Sequence, residues 1–333
     1  MTKALRGINL GGWLVTERWM TPELYEGVQG EGEIALAREL GSEAARERLE
    51  AHRQTFITEA DFAWIARQGF DFVRLPVGYW LFEETTDFVD GEGYLRQAFE
   101  WASRHRLGIV LDFHGLQGSQ NGQDHSGQVG QVRLYRHGNE KQALRTLEYM
   151  CRTYGTQESL LAIELINEPK VRWFLYRLLR YYDRAYRVAT LYLRPETKII
   201  VSDAFRPLRM ARALARRRYG DRLVLDVHLY QLFSRREQAR SFVEHIRVVE
   251  KDWSVLLDEL MRYVPVLVGE WSAALPEKAL AEASSNRAEK TERYYYAQAE
   301  LFKRATWAHS YWSYKAPGRG PWNYREQRSL QGR

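Results

Sequence analysis

Short runs of apolar residues, each ending in polar or aromatic side chains, recur along the whole chain. Each run is too short for a typical helix and too continuous for a strand with one face in water. Such runs are typical of strands that are buried on both faces, as in parallel sheets. The pattern predicts eight strands: RGINLGG (6–12), FDFVRLPV (70–77), GIVLDFHG (108–115), AIELINEP (162–169), KIIVSDA (198–204), LVLDVHLY (223–230), VPVLVGEW (264–271) and HSYWSYK (309–315).

Amphipathic stretches with a helical period separate these runs, for example residues 37–68 and 288–305. Alternating strands and helices imply a parallel sheet with right-handed crossovers. Eight such units favour one α/β domain over residues 1–333, a (β/α)8 TIM barrel. The alternative, an open doubly wound sheet, usually has a glycine-rich turn for phosphate. The only candidate turn, Gly11-Gly12, lacks the third glycine of the dinucleotide fingerprint.

Charge and composition narrow the class of protein. The net charge is +6 and the sequence pI is about 9.2, but the basic residues are spread along the chain. We interpret them as a solvated surface and expect no nucleic acid partner, with a binder of anionic polymers as the alternative. The single cysteine, Cys151, excludes an intrachain disulfide.

The ends and the hydropathy of the chain lead to expectations about its location. The amino terminus enters a strand-like run at once and leaves no room for a signal peptide. No stretch reaches the about 20 apolar residues of a membrane span. We therefore expect a soluble cytoplasmic protein, or a secreted one if a leader has been removed. We also expect a monomer without a cofactor or a metal ion.

Polar or aromatic side chains lie at the carboxyl end of nearly every predicted strand. A charged residue within an apolar strand is costly to bury unless it is paired, and a single one would indicate a structural ion pair. Because the carboxyl ends of barrel strands meet at the face where α/β barrels place their active sites, we expect one shared polar cleft. Its predicted residues include Glu17, Arg74, His114, Asn167, Glu168, Asp203, His228, Tyr230, Glu270, Trp271 and Trp312.

Two glutamates dominate the candidate chemistry: Glu168 in the tripeptide NEP and Glu270 in GEW. The chain has no HExxH zinc motif and no serine nucleophile elbow. A metal centre built from His114, His228 and a glutamate stays open as an alternative. Paired carboxylates fit glycoside hydrolysis best, because an acetal needs an acid at its leaving oxygen and a carboxylate facing the oxocarbenium-like carbon. The neighbours of the acid would then have to raise its pKa above that of its partner.

The order of the motifs resembles glycoside hydrolase family 5, and within it the exo-β-1,3-glucanases of yeasts and other fungi. The match runs from residue 6 to about residue 330. NEP alone is a modest signal, whereas the GSQNG block together with NEP and GEWS is highly specific. The matching segments are RGINLGGWLVTERWMTPELYEG, FVRLPVGYW, HGLQGSQNGQDHSG, IELINEP, HLYQLF and GEWS.

This resemblance implies roles for the residues around the two glutamates. Glu168 would be the general acid/base and Glu270 the nucleophile of a retaining β-glycosidase, with carboxyl groups about 5–5.5 Å apart. Asn167 would hydrogen-bond the 2-hydroxyl of the sugar. Arg74 would keep the nucleophile ionised, and Tyr230 would orient it.

The resemblance also implies a set of sugar-binding side chains. His114 and His228 would bind hydroxyl groups and support the carboxylate pair. Glu17 would hold outer hydroxyl groups of the terminal glucose. Trp312 would form the platform under that sugar, with Trp322 as a further wall.

One departure from the fungal pattern concerns the entrance of the cleft. The relatives have two phenylalanines that form an aromatic clamp there, and this chain keeps the second, Phe233, but has Gln123 at the first place. We expect an exo-acting β-glucosidase or glucanase that prefers β-1,3 linkages, with some β-1,6 tolerance. An endo-β-1,4-glucanase, an aryl or alkyl β-glucosidase, and a catalytically silent carbohydrate-binding protein are the alternatives.

Overall fold

Eight parallel strands close into a barrel in which each strand pairs with its neighbours in the chain and the last pairs with the first. The computed structural model describes residues 4–83, 87–136, 138–171, 175–217, 219–282 and 286–327. The predicted (β/α)8 fold is confirmed, with a strand at each of the eight apolar runs. The strands are β1 (Leu5–Asn9), β2 (Phe72–Gly78), β3 (Gly108–Gly115), β4 (Leu160–Glu164), β5 (Lys198–Ser202), β6 (Leu223–Leu229), β7 (Val266–Trp271) and β8 (Ala308–Tyr311).

Helices fill the connections between the strands. No helix in the described ranges combines the length and the apolar composition that crossing a bilayer requires. A π-helical turn, Val248–Trp253, joins the helices Phe242–Arg247 and Ser254–Met261. The α-helices are α1 (Glu33–Leu40), α2 (Ser42–Phe56), α3 (Glu59–Arg67), α4 (Glu92–His105), α5 (Asn139–Tyr154), α6 (Leu175–Tyr192), α7 (Pro207–Ala215), α8 (Arg235–Gln238), α9 (Phe242–Arg247), α10 (Ser254–Met261), α11 (Glu277–Ala281) and α12 (Arg287–Ala305).

The predicted amphipathic stretch 37–68 is divided among three helices, α1, α2 and α3. Gly41 ends α1 with φ at 84°, a left-handed conformation that glycine adopts without a Cβ penalty. Thr58 begins α3 through a capping box, in which its own side chain and that of Asp61 satisfy free backbone N–H groups. The hydrophobic period continues across both breaks, which is why the sequence pattern alone did not reveal them.

Five of the predicted strands, β1, β4, β5, β6 and β8, extend beyond the carboxyl ends of the observed ones. β4 ends at Glu164, although the apolar run continues to Ile166, and β8 ends at Tyr311. Leu165 and Ile166 are fully buried in the loop after β4. The apolar run therefore continues past the last hydrogen-bonded residue of β4, because the first residues of the loop that carries Glu168 are as buried as the strand.

The inside of the barrel consists of an apolar layer with a polar layer above it. One side chain from each of seven strands forms the apolar layer: Phe72, Val110, Ala162, Ile200, Val224, Leu267 and Ala308. Side chains two positions apart on a strand point to the same side. The residues two positions further on therefore form the next layer, directly below the carboxyl ends of the strands: Arg74, Asp112, Glu164, Ser202, Asp226, Gly269 and Ser310.

Candidate active site

A cavity of about 1060 Å³ opens at the carboxyl ends of the strands. All of the site residues predicted from the motifs line it except Arg74, which is fully buried beneath it. Two residues predicted from strand-end position do not line the cavity. Asp203 accepts a hydrogen bond from the backbone N–H of Phe205, and Trp271 packs on Tyr295 and Tyr311. The lining includes Glu17, Trp19, His114, Gln123, His125, Asn167, Glu168, Lys170, Phe205, Arg206, His228, Tyr230, Phe233, Glu237, Glu270, Trp312 and Trp322.

Arg74 lies at the centre of the polar layer and binds Glu270 from below. Its Nη1 donates to Glu270 Oε1 at 3.1 Å, and its Nε and Nη2 donate to Glu164 Oε2 at 3.1 and 2.8 Å. From the other side, the Tyr230 hydroxyl donates to Glu270 Oε2 at 3.1 Å. Each oxygen of the Glu270 carboxylate thus has a donor, so the side chain is fixed with its charge facing the cavity.

Glu168 lies in the loop after β4, with φ at 42°, in the left-handed region that non-glycine residues rarely adopt. The neighbouring loop residue Asn167 donates its backbone N–H to the Phe113 carbonyl, and the Gln120 side chain donates to the Asn167 carbonyl at 3.0 Å. The buried amide of Gln120 therefore ties this loop to the loop after β3.

The two glutamates approach each other across the cavity, with His228 between them. One oxygen of Glu168, one oxygen of Glu270 and one ring nitrogen of His228 lie within 4.8 Å of one another. His228 Nδ1 is 2.6 Å from Glu168 Oε1 and 3.5 Å from Glu270 Oε2. The Glu168 and Glu270 oxygens are thus no more than 4.8 Å apart. This distance is close to the about 5–5.5 Å between the carboxyl groups of retaining glycosidases and well below the about 6.5–9.5 Å of inverting ones.

Burial and His228 set the protonation of the two carboxyl groups. Burial alone would raise the pKa of Glu168, but the hydrogen bond and charge of His228 lower it to about 2. Burial would lower the pKa of His228, whereas the charges of Glu270 and Asp226 raise it well above its usual value. Burial raises the pKa of Glu270, although His228 and Arg74 oppose that rise.

These pKa shifts correct one expectation from the sequence. We expected the neighbours of Glu168 to raise its pKa above that of Glu270, and the shifts have the opposite order. The reason is that His228 holds the proton of the Glu168–His228 pair on its ring. Burial alone would instead have raised the pKa of the Glu168 carboxyl group.

Asn167 and His114 form a second hydrogen-bonded chain beside the glutamates. Asn167 Oδ1 accepts from Arg74 Nη2 at 3.0 Å, which leaves its amide group to donate to His114 Nε2 at 3.3 Å. The opposite ring nitrogen of His114 donates to Asp112 Oδ2 at 2.5 Å. The His114 ring lies nearly parallel to Trp312, with an interplanar angle of 12°. Asn167 and Trp312 are thus held in fixed orientations at the cavity floor.

Aromatic side chains form much of the outer wall. Trp19 and Trp322 meet edge to face at 5.6 Å, and Trp19 donates its ring N–H to Glu17 at 2.8 Å. Tyr230 contacts both Trp322 and Phe233. Phe233 is 69% exposed, whereas Gln123 lines the cavity without an aromatic face.

Among the described residues, Glu168, His228 and Glu270 form the one group that could offer three ligand atoms to a metal ion. The group differs from the metal centre considered from the sequence, because His114 is absent from it. His228 Nδ1 is already hydrogen-bonded to Glu168, and Arg74 and Tyr230 already donate to Glu270. A metal ion would have to displace these bonds and lie next to the Arg74 cation.

Several site residues were missed by the sequence analysis. His125 Nε2 lies 3.4 Å from Glu168 Oε2, and Trp19 and Lys170 line the cavity. His125 falls within the GSQNGQDHSG segment, so the motif was the signal that could have identified it. Asp226 and Gln120 are buried beneath the cavity. Gln120 belongs to the same motif, whereas Asp226 has no strand-end signal.

Comparisons with known proteins agree with this geometry. The sequence model described as Cellulase (glycosyl hydrolase family 5) matches residues 39–318. A probable glucan 1,3-beta-glucosidase A of Aspergillus niger is 30% identical over 366 residues, covering 98% of this chain and 86% of that protein. A glucan 1,3-beta-glucosidase of Kluyveromyces lactis is 36% identical over 293 residues, covering 82% and 67%. The crystal structure of AoRut, 23% identical, superposes with a TM-score of 0.80 over 98% of this chain and 93% of that one, which shows a shared fold. The chain belongs to glycosyl hydrolase family 5.

Proposed function

We propose that this enzyme hydrolyses β-glucosides with retention of configuration, using Glu270 as nucleophile and Glu168 as acid/base. The observation that carries the proposal is the approach of these two carboxylates within 4.8 Å at the carboxyl end of the barrel. A retaining mechanism needs this short separation because the nucleophile must touch the anomeric carbon directly.

In the first step, Glu270 attacks the anomeric carbon and the bond to the leaving oxygen breaks. Arg74 and Tyr230 hold the attacking carboxylate and hinder its protonation. A proton is delivered to the leaving oxygen through Glu168. The source of that proton is His228, whose Nδ1 lies 2.6 Å from Glu168 Oε1. The product of this step is a glycosyl ester on Glu270 and a free aglycone.

In the second step, a water molecule attacks the anomeric carbon of the ester. Glu168, now without a proton, accepts one from the water, and His228 can take it up again. The bond to Glu270 breaks and β-glucose leaves. The enzyme returns to its starting protonation, with Glu270 ionised and the proton back on the Glu168–His228 pair.

The floor and walls of the cavity support a role in binding one glucosyl unit. We assign binding of the 2-hydroxyl group to the Asn167 amide, because Arg74 holds its oxygen and the residue adjoins Glu168. Trp312 offers a rigid face for the sugar ring, and Glu17 lies near the outer wall. His114 and Trp322 complete the set of side chains to which we assign binding.

The preference for β-1,3 linkages, with some β-1,6 tolerance, and the exo mode of action are supported by the relatives that are glucan 1,3-beta-glucosidases. A second candidate activity, on aryl or alkyl β-glucosides, is favoured by the entrance. Gln123 lines the cavity where an aromatic partner for Phe233 would complete a clamp. With one aromatic face, the site would bind the sugar after the cleaved bond weakly and accept other leaving groups.

Digestion of oligosaccharides tests both the mechanism and the substrate. We expect laminarihexaose to release glucose one unit at a time, with β-glucose as the first anomer seen by NMR. Cellohexaose should react more slowly. Release of α-glucose at the outset would contradict the retaining mechanism, and faster internal cleavage of cellohexaose would favour an endo-β-1,4-glucanase.

The Glu270→Ala variant tests the nucleophile. It should lose turnover of an activated aryl β-glucoside, and azide should restore part of that turnover by taking the place of the carboxylate. The exposed Glu23→Gln variant is the matched control and should retain wild-type rates. Normal activity of Glu270→Ala would refute its assigned role, and binding of sugar without turnover by the wild type would favour a silent carbohydrate-binding protein.

A further inference from the structure

The pairing of β7 with its neighbours is interrupted immediately before Glu270. Along β6, Val227 pairs with Val268 but His228 pairs with Glu270, so Gly269 is an extra residue in β7. Against β8, the register also shifts between Val268 and Trp271. This pattern is a β-bulge, which bends a strand and changes the side to which the next side chain points.

The bulge decides where Glu270 points. Leu267 belongs to the apolar layer inside the barrel and Val268 packs outside it. Strict alternation would then place residue 269 inside, Glu270 outside and Trp271 inside. Instead, Glu270 faces the cavity, and Trp271 packs outward on Phe302 of α12. The one extra residue therefore turns Glu270 into the cleft.

A buried carboxylate of the polar layer holds this bulge. Asp226 Oδ1 accepts the backbone N–H of Gly269 at 2.7 Å, a donor that the interrupted ladder leaves free. The Gly269 carbonyl accepts from Asn9 Nδ2 at 2.9 Å and from Ser310 Oγ at 2.6 Å. A Cβ at position 269 would lie 2.1 Å from Asp226 Oδ2, so only glycine allows the carboxylate to approach this closely.

The second oxygen of the Asp226 carboxylate faces His228, the partner of Glu168. Asp226 Oδ2 lies 3.3 Å from His228 Nε2, and the opposite nitrogen of that ring binds Glu168 at 2.6 Å. Asp226 is 1% exposed, so water does not screen this contact. The charged groups nearest to the His228 ring are Asp226, Glu168 and Glu270, with Arg74 3.7 Å from Asp226. The buried carboxylates Asp112, Glu164 and Asp203 also interact with the charge of His228.

We propose that Asp226 is a positioning residue for both catalytic glutamates. With Oδ1 it fixes the bulge that aims Glu270, and with Oδ2 it fixes the His228 ring against Glu168. This inference rests on the proposed function for its kinetic consequences but not for its structural ones. Asp226 touches neither reacting group directly and acts through Gly269 and His228.

Two substitutions separate the two contacts. Asp226→Asn keeps an oxygen for the Gly269 N–H but removes the negative charge beside His228. Asp226→Ala removes both contacts. Asp61→Asn is the control for a merely structural acid, because Asp61 is a buried carboxylate that caps α3 and binds Tyr314.

The kinetic readout is the pH profile of kcat/KM with an aryl β-glucoside. Asp226→Asn should move the basic limb to lower pH by about one unit or more, because the Glu168–His228 pair loses its proton more easily without the neighbouring charge. Asp226→Ala should move the basic limb in the same direction and should also lower kcat/KM about 10–100-fold at its pH optimum, since an unpaired Gly269 N–H lets the bulge shift. Asp61→Asn should lower the melting temperature and leave both limbs in place.

A second readout needs no turnover. The ring titration of His228, followed by long-range ¹H–¹⁵N NMR and assigned by comparison with His228→Gln, should move to lower pH in Asp226→Asn. If the wild type hydrolyses no glucoside, the proposed function fails, and this titration still tests Asp226. The inference is overturned if the His228 titration is the same in both proteins, or if the pH profiles of the Asp226 variants match that of Asp61→Asn.

Discussion

Glu17 provides a test of the site electrostatics that does not depend on catalysis. Glu17 is 7% exposed, and its carboxyl group accepts a hydrogen bond from the Trp19 ring N–H at 2.8 Å. Burial, together with the charges of Asp124, Glu270 and Glu168, raises its pKa from 4.5 to about 8. We therefore predict that the Glu17 carboxyl group is neutral in the folded protein near pH 7.

The magnitude and the sign follow from proton linkage. The folded state keeps the Glu17 proton to about pH 8, whereas the unfolded chain loses it near its ordinary pKa of 4.5. The contribution of Glu17 to the free energy of unfolding is therefore largest below pH 4.5. Above that value the contribution falls by about 1.4 kcal/mol for each pH unit. The loss is complete above about pH 8 and amounts to about 4–5 kcal/mol.

The assay is urea denaturation of the wild type and of Glu17→Gln at pH 5, 7 and 9. Glutamine keeps the acceptor for Trp19 but cannot ionise, so the variant should gain several kcal/mol in free energy of unfolding relative to the wild type between pH 5 and pH 9. Glu23→Gln, an exposed residue of the same loop, should follow the wild type at each pH. A constant difference between Glu17→Gln and the wild type across this range would refute the predicted protonation of Glu17.

Three further predictions concern catalysis. The pH profile of kcat/KM should be bell-shaped. Activity should fall with decreasing pH as Glu270 is protonated, and because the pKa of Glu270 is raised, this acid limb should lie above pH 4.5. Activity should fall with increasing pH as His228 loses its proton, and because the pKa of His228 is raised, this basic limb should lie above pH 6.5. An acid limb below pH 4.5 would contradict the rise in the pKa of Glu270 that burial causes. Asn167→Ala should lower kcat/KM on aryl glucosides by about 100-fold or more but much less on 2-deoxyglucosides, and equal losses would show that Asn167 does not bind the 2-hydroxyl group. Prolonged EDTA treatment should leave kcat unchanged, and a loss restored by a divalent cation would favour a metal at Glu168, His228 and Glu270.

The sequence predicted the barrel because every strand is buried on both faces and so appears as an apolar run. It predicted Glu168 and Glu270 for the same reason, since a carboxylate at the end of such a run has no structural partner in the local sequence. The loop after β4 was predicted as strand because Leu165 and Ile166 are as buried as ladder residues. Hydrophobicity records burial and does not record hydrogen-bond pairing.

The parts of the site that the sequence did not predict depend on contacts between distant residues. The β-bulge at Gly269 needs the Asp226 carboxylate, which lies 43 positions earlier in the chain. The low pKa of Glu168 needs His228, 60 positions later. Neither contact leaves a local pattern, because each is set by the register between strands.

Covalent trapping tests the central claim most directly. A 2-deoxy-2-fluoro-β-glucoside with a dinitrophenolate leaving group should inactivate the enzyme and add one fluoroglucosyl unit to its mass. Proteolysis and mass spectrometry should place that unit on Glu270. A label on another residue, or turnover through inversion with no adduct, would contradict the double displacement by Glu270 and Glu168.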